Sequence, residues 1–261
     1  MISSTSNPRI KQLVQYKKKK KARDADQVFL VEGLRLAGEI PAEKLVEVYV
    51  TSAFKAREQA FLSKLPSEKV IEVTDTVFAY AADTKTPQGV LGVVRQNAYS
   101  AQELIQNHHD FVMVLEDVQD PGNVGTILRS AEAAGVSSVI LSENCADVYN
   151  PKTTRSTMGS IFRVPFAYTA DLPEVIKKLK EQGTKIYAGH LKGSTSYDII
   201  EYDKKVAILI GNEGAGLSEE ISGLADDYIV IPMEGKVESL NAAISATILM
   251  FEVARRRRGG E

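Results

Sequence analysis

Two rhythms of apolar residues run along most of the chain. From residue 111 onward, short unbroken apolar runs alternate with stretches in which apolar residues return every three or four positions. FVMVLEDV, SSVILSE, FRVPFAY, KIYAGHL, KVAILIGNEG and DYIVIPM predict strands. VGTILRSAEAAG, KTTRSTMGS, LPEVIKKLKEQG and SLNAAISATILMFEVARRRR predict helices. Strands alternating with helices imply a parallel sheet covered on both faces. The last helix places Leu240, Ile244, Ile248 and Phe251 on one face, enough for core or dimer packing.

The first part of the chain follows a looser version of the same pattern. VFLVEG and LVEVYV predict strands, with GLRLAGEI as a helix between them. VIEVTDTVF and GVLGVVRQ add strand signals, and TPQG is a turn before the last of them. This gives a small α/β domain over residues 1–97 and a polar linker with a short helix over 98–110. A second α/β domain covers 111–261. No internal repeat is present.

Composition sharpens this only in places. The chain of 261 residues is 44% hydrophobic and 25% charged, as expected for a globular protein rather than a disordered one. No apolar run is long enough for a membrane span, and the basic N-terminal stretch has no apolar core behind it, so no secretory signal is expected. The single cysteine, Cys145, allows no internal disulfide, suits a reducing cytoplasm and is read as a small buried apolar residue. His108, His109 and His190 lack zinc-ligand spacing, so no metal is expected. The net charge of −2 hides an asymmetry: residues 1–23 carry eight basic residues and no acidic one. These are Arg9, Lys11, Lys17, Lys18, Lys19, Lys20, Lys21 and Arg23, and a second cluster, Arg255 to Arg258, closes the sequence. Such clusters attract polyanions, although either also fits a solvated terminus.

Three segments put polar or glycine residues at the ends of apolar strands, where open α/β sheets collect ligands. In DPGNVGTILRSAEAAGV, Asn123 reads as a helix cap and Arg129 lies among apolar neighbours, a setting that also fits a snorkelling surface side chain. In ILIGNEGAGLS, a strand runs into Gly211-Asn212-Glu213-Gly214-Ala215-Gly216. The GxxGxG spacing disfavours a nicotinamide cofactor, and a plain strand-to-helix turn is the alternative. In IVIPMEGKVESLNAAISATILM, Ser239 and Asn241 open the last helix and could simply cap it.

In this order, NVGTILRSAEAAG, LIGNEGAGLS and IPMEGKVESLNAAISATILMFE resemble the three motifs of the SpoU (TrmH-type) branch of the SPOUT RNA methyltransferases. FLVEGLRLAGE and TPQGVLGVV resemble the substrate-binding domain that many of these enzymes carry. The resemblance implies an α/β fold whose C-terminal parallel-sheet domain contains a deep trefoil knot, joined to a small N-terminal α/β RNA-binding domain like a ribosomal protein. It implies S-adenosylmethionine as cofactor, held by backbone around Gly211, Ile231 and Leu240 with Leu209 and Ile210 nearby. It also implies a cytoplasmic homodimer that methylates a ribose 2′-hydroxyl of RNA.

The arginine at position 129 is the residue the resemblance assigns to activating that hydroxyl, with Asn123, Glu213, Ser239 and Asn241 orienting it, the ribose and the cofactor loop. Glu213 is a candidate partner of Arg129. The basic residues from Arg9 to Arg23 would contact phosphate, while Glu32 and Arg35 are as readily polar caps. The N-terminal domain resembles that of ribosomal-RNA enzymes, which implies ribosomal rather than transfer RNA as the substrate. A base-nitrogen methyltransferase and a non-catalytic RNA-binding assembly factor are the competing readings; intact Arg129, Glu213 and Asn241 argue against the second.

Overall fold

The computed structural model describes residues 1–191 and 195–259. The chain forms two units, Met1–Gln96 together with Asp147–Phe162, and Asn97–Ala146 together with the chain from Arg163 onward.

The first unit opens with α1 (Pro8–Lys18) and α2 (Lys20–Asp26), which the lysine run conceals in the sequence. Asn7 caps α1 by accepting from the Arg9 amide, Pro8 fits its first turn, and Ile10, Leu13 and Val14 form its buried stripe. Next come β1 (Val28–Glu32), α3 (Leu34–Ala37), β2 (Leu45–Thr51), α4 (Ser52–Arg57), α5 (Gln59–Leu62), β3 (Val70–Val73), α6 (Asp75–Ala81) and β4 (Val90–Arg95). The sheet order is β1-β4-β2-β3, with β4 antiparallel to both neighbours and β2 parallel to β3. VIEVTDTVF is not one strand. It breaks at Thr74, because Val77, Phe78 and Ala81 bury at helical spacing. Glu32 is structural: its carboxylate accepts the amides of Asp83 (2.8 Å) and Thr84 (3.3 Å).

The second unit contains α7 (Ala101–Asn107), whose Ser100 and Glu103 form a capping box, then β5 (Phe111–Leu115), α8 (Pro121–Ala134) and β6 (Ser138–Ser142). α9 (Pro151–Ser156) falls in the segment that packs with the first unit. The second unit resumes with β7 (Phe166–Thr169), α10 (Leu172–Glu181), β8 (Lys185–Gly189), β9 (Thr195–Ser196), β10 (Val206–Ile210), α11 (Glu219–Ser222), β11 (Asp227–Val230) and α12 (Ala242–Gly259). Its strands lie in the order β7-β6-β5-β10-β8-β11-β9 and every pair is parallel. The chain moves outward from β5 to β7, crosses to lay down β8, and then fills the gap with β10. Strand order therefore reverses between β5 and β10, and the crevice at their carboxyl ends is where this architecture binds ligands.

α12 does not bury the face expected for a core. Ala242, Ala243, Ala246, Leu249, Met250 and Val253 turn inward, whereas Ile244 and Phe251 are 51% and 40% exposed. Cys145 is buried, and burial pushes its thiol up, as expected for an inert structural cysteine.

The segment 147–162, which the sequence reading places in the second domain, packs with the first unit through aromatic and ionic contacts. Phe29 of β1 meets Tyr149 at 4.9 Å and Phe162 at 6.1 Å between ring centroids. Arg23 is only 3% exposed; it ion-pairs with Asp147 and donates to the Tyr16 carbonyl at 2.5 Å. Removing one partner of a buried ion pair leaves an uncompensated charge. Arg23→Met is therefore expected to lower the unfolding free energy by about 3 kcal/mol, measured by urea denaturation; a loss below about 1 kcal/mol, the range of surface pairs, would count against the pair as an anchor.

Candidate active site

The two central strands end in loops that are stitched together. After β5, Asp117 adopts a left-handed conformation (φ 54°), and its carboxylate accepts from Ser142 Oγ at 2.6 Å and Asn144 Nδ2 at 3.3 Å. Its carbonyl accepts from Asn212 Nδ2 at 2.8 Å, while Glu116 accepts from the Ser218 amide (2.8 Å) and hydroxyl (2.6 Å). After β10, the turn closes by reciprocal backbone bonds between Asn212 and Gly216 (3.0 and 2.9 Å). A Cβ on Gly211 would lie 2.2 Å from the backbone of Gly216 and Leu217, so this strand end accepts only glycine.

Three of the expected site residues meet in one hydrogen-bonded clamp. Asn123 Nδ2 donates to Glu213 Oε1 at 2.8 Å, and Asn241 Nδ2 donates to Asn123 Oδ1 at 2.9 Å. Glu213 also accepts the backbone amides of Gln119 (3.1 Å) and Asp120 (2.9 Å). Burial alone would raise the Glu213 carboxyl, but the bonds from Asn123, Asp120 and Gln119 outweigh it and hold the group below the usual carboxylate range. Asn123 does not cap its helix. Asp120 does, accepting the Asn123 amide at 2.9 Å, while Pro121 supplies the first turn. Asn241 both caps α12, by accepting from the amides of Ala243 (2.9 Å) and Ile244 (3.3 Å), and joins the clamp.

Arg129 stands apart from this clamp. It lies on the exposed side of α8, and among the described residues it has no hydrogen-bond or ion-pair partner. The expected pairing with Glu213 is not made, since Glu213 faces the start of the helix instead. Its neighbour Ser130 meets Thr247 of α12, with 2.8 Å between the hydroxyl oxygens, and Thr247 also donates to the Ala243 carbonyl at 2.7 Å. The turn that carries Arg129 is thereby tied to the helix that carries Asn241.

Beside the clamp lies a cavity of about 430 Å³ walled by residues at the carboxyl ends of β8, β10 and β11 and by α12. Ile210, Gly211, Ile231 and Leu240 line it, as do Glu213 and Ser239. Leu209 does not; its side chain is fully buried in the hydrophobic core between the sheet and its helices. Sequence reasoning missed His190, whose ring stacks on Tyr228 at 5.1 Å, together with Met233, Ser245 and Leu249. The strand-end rule could have found His190, which directly follows β8; the α12 residues carry no such signal. Among the described residues, no group of His, Cys, Asp or Glu is placed to hold a metal ion.

The basic N-terminal set divides by helix face. Lys11, Lys18, Lys19 and Lys21 are exposed, Arg9 pairs loosely with Glu47 at 3.6 Å, and exposed Lys20 reaches Asp24 at 3.2 Å. Lys17 is half-buried and donates to the carbonyls of Tyr80 (3.1 Å) and Ala82 (2.7 Å). Arg23, buried against Asp147, is unavailable to a phosphate, which removes it from the expected contact set. Of the C-terminal arginines, Arg255, Arg257 and Arg258 are exposed and Arg256 is half-buried, yet three of the four are engaged within the chain. Arg255 and Arg256 close on Glu252, and Arg257 lies over the Phe111 ring at 4.9 Å while donating to the carbonyls of Asp110 and Lys204.

Comparison with known proteins gives a consistent picture. The model of the SpoU rRNA Methylase family matches residues 110–251, and that of an MRM3-like substrate binding domain matches residues 7–92. The 23S rRNA (guanosine(2553)-2′-O)-methyltransferase RlmP of Bacillus subtilis is 32% identical over 259 residues, covering 97% of this chain and 98% of the relative. A crystal structure of an AdoMet-bound rRNA methyltransferase from Sinorhizobium meliloti is 33% identical and superposes with a TM-score of 0.85, covering 98% of this chain and 97% of that one. The SpoU methyltransferase AviRb from Streptomyces viridochromogenes, in complex with AdoMet, is 27% identical with a TM-score of 0.85, covering 97% of this chain and 100% of that one.

The clamp has a pH signature. A carboxyl held low by native hydrogen bonds contributes stability that is fully present above its unfolded pKa, about 4.3 for Glu, and lost as pH falls through the depressed native value. Glu213→Gln offers one acceptor oxygen where two are used, so it should melt several degrees below the wild type at neutral pH. The gap between the two melting curves should close in acid; a gap that stayed constant down to the acid limit would rule out the ionised carboxylate as its source.

Proposed function

Because the chain belongs to the SpoU rRNA methylase family, we propose that the cavity between its strand ends holds S-adenosylmethionine and that α8 presents a ribose to it. The protein is an S-adenosylmethionine-dependent 2′-O-methyltransferase of RNA, with ribosomal RNA as its substrate rather than transfer RNA. The observation that carries the site assignment is the clamp of Asn123, Glu213 and Asn241, which fixes three separate chain segments around one cavity.

The residues present fit the cofactor. The volume suits a ligand of this size, its walls combine aliphatic side chains with glycine backbone and a few polar groups, and the glycine-only strand end at Gly211 lets backbone amides and carbonyls approach a ligand closely. Backbone around Gly211, Ile231 and Leu240 would hold it, against Ile210 and Leu249. Bound there, S-adenosylmethionine supplies a methyl group already activated by sulfonium charge. The chain's task is then to aim the ribose oxygen and stabilise the charge it develops. Arg129 does this: its fork of donors binds the 2′-hydroxyl and the adjacent phosphate, and a guanidinium resists deprotonation, so it serves as an electrostatic clamp rather than a simple base. Asn123, Glu213 and Asn241 are positioning residues, and Ser239, exposed on the cavity rim, orients the ribose.

Residues 1–97 capture RNA, Lys11, Lys18, Lys19 and Lys21 contributing phosphate contacts, and residues 111–261, apart from the 147–162 segment that packs with the first unit, carry the chemistry. The C-terminal segment is threaded as a deep trefoil knot. Support comes from the walls of the cavity, which combine the turn after β10 with the stretch from Ile231 to Leu240. The active species is a homodimer formed through α12, where exposed Ile244 and Phe251, with half-buried Ile248 between them at helical spacing, form an apolar stripe. The protein works in the cytoplasm, in keeping with a ribosomal RNA substrate and one buried thiol; among the described residues, no helix is long and apolar enough to cross a membrane.

The test is methyl transfer from labelled S-adenosylmethionine to ribosomal RNA from a strain lacking the gene. Wild type should place label in a 2′-O-methyl nucleotide, and Arg129→Ala should lose about 100-fold in kcat with cofactor affinity within twofold. Label on a base, or an Arg129→Ala enzyme of normal kcat, would overturn the assignment. Ile244→Glu together with Phe251→Glu should convert the dimer to monomer in light scattering; an unchanged mass would place the dimer contact elsewhere or remove it.

A further inference from the structure

The first unit turns one aromatic ring outward. All its other aromatic residues are buried or half-buried, but Tyr80, near the C-terminal end of α6, is 51% exposed. Its backbone is tied to a neighbouring helix. Lys17 Nζ donates to the carbonyls of Tyr80 and Ala82, at 3.1 and 2.7 Å, placing a cation at the negative end of α6 and fastening that end to the last turn of α1. The exposed Lys18, Lys19 and Lys21 follow directly in the chain. The acids beside this seam are already matched. Asp83 pairs with Arg155 at 2.7 Å, and Glu32 is held by the amides of Asp83 and Thr84. Lys17, Glu32, Asp83 and Arg155 line one small cleft there.

A single exposed tyrosine is ordinary on a protein surface. An exposed ring whose backbone is fastened by Lys17, with exposed lysines following Lys17 in the chain and the carboxylates of Asp83 and Glu32 already engaged, offers what an unstacked nucleobase requires. Its phosphate finds the lysines and its face finds the ring. We propose that Tyr80 is a stacking platform for an unpaired base of the substrate RNA, with Lys18, Lys19 and Lys21 following the adjoining backbone. The proposal rests on assigning RNA capture to the first unit, and it narrows the ligand. Bases within a duplex are already stacked, so the preferred ligand has a loop or bulge rather than a continuous helix.

Stacking and phosphate contact separate experimentally, because only phosphate contact releases counterions and sets the slope of log affinity against log salt. The experiment measures binding of the full-length protein to a fluorescent stem-loop oligoribonucleotide and to a fully paired duplex of equal length, over a salt series. Tyr80→Ala should weaken stem-loop binding about tenfold with an unchanged salt slope and unchanged duplex binding, while Tyr80→Phe stays within twofold of wild type. Lys18→Glu with Lys21→Glu should flatten the slope. Thermal melting of each variant confirms that it is folded.

If Tyr80→Ala binds the stem-loop like wild type while the lysine variant flattens the slope, the stacking platform is wrong and RNA capture by this unit stands. If neither variant changes binding or slope, both are wrong. If Tyr80→Ala weakens duplex and stem-loop equally, the ring supports the surface rather than reading a base, and the proposal fails.

Discussion

Asn123 has one amide group, and the arrangement of the site follows from which way that amide points. The direction is fixed from the far end of the chain. The amide hydrogens of Ala243 and Ile244 require an acceptor, so Asn241 must turn its Oδ1 toward α12 and its Nδ2 toward Asn123. Asn123 must then answer with Oδ1, which leaves its own Nδ2 for the acceptor-only carboxylate of Glu213. Each bond dictates the next. With Asn123 only 8% exposed, replacing Glu213 or Asn241 leaves a polar atom of its amide unpaired away from water, at about 1–3 kcal/mol.

This relay separates two kinds of residue that the sequence groups together. Asn123, Glu213 and Asn241 use their polar atoms on one another and on backbone, so their contribution is to hold segments in place. Arg129 lies six residues further along α8, about 9 Å by helix rise, with its guanidinium unpaired among the described residues and its turn tied to α12 through Ser130 and Thr247. A side chain that must meet a phosphate and a developing oxyanion gains from arriving unpaired on a fixed base, because no internal bond has to break first. The local strain points the same way. A left-handed Asp117 costs roughly 1–3 kcal/mol, and it persists because Ser142, Asn144 and Asn212 all bond to that one residue.

Where elements had unmixed signals, the sequence was a good guide. The apolar runs of the second unit become β5, β6, β8 and β10 because strands buried on both faces need no alternation. The glycine cluster marked the turn after β10, since only a close backbone approach requires glycine at 211. Legibility failed where one residue type serves two purposes. The lysine run hid α1, whose apolar stripe of Ile10, Leu13 and Val14 is short and diluted by charge, and α2, whose one buried residue is Arg23. Thr and Val in VIEVTDTVF favour strands locally, and only burial of Val77, Phe78 and Ala81 decides for a helix. Leu209 sits next to a cavity-lining residue in the chain, but alternation along β10 sends its side chain to the core. The partners of Asn123 could not be read from spacing at all, because they are 90 and 118 residues away.

Basic clusters were the least transparent feature, for a reason that bears on how the two units are built. A charge run identifies residue types but not their phase on a helix. Lys17 and Arg23 turn inward and Lys18 and Lys21 outward, although all four lie in a single stretch. Arg23 can turn inward only because Asp147 is there to meet it, and Asp147 comes from a segment that the chain inserts between β6 and β7 of the other unit. The same segment brings Tyr149 and Phe162 onto Phe29 and Arg155 onto Asp83. A cut at the apparent boundary near residue 97 would therefore leave the N-terminal piece with a buried guanidinium unpaired and an aromatic face uncovered. Losses of that kind cost several kcal/mol, comparable with the whole stability of a small domain. The first unit is thus complete only when the segment from the middle of the chain has returned to it, which makes its folding depend on residues that sequence position assigns to the other unit.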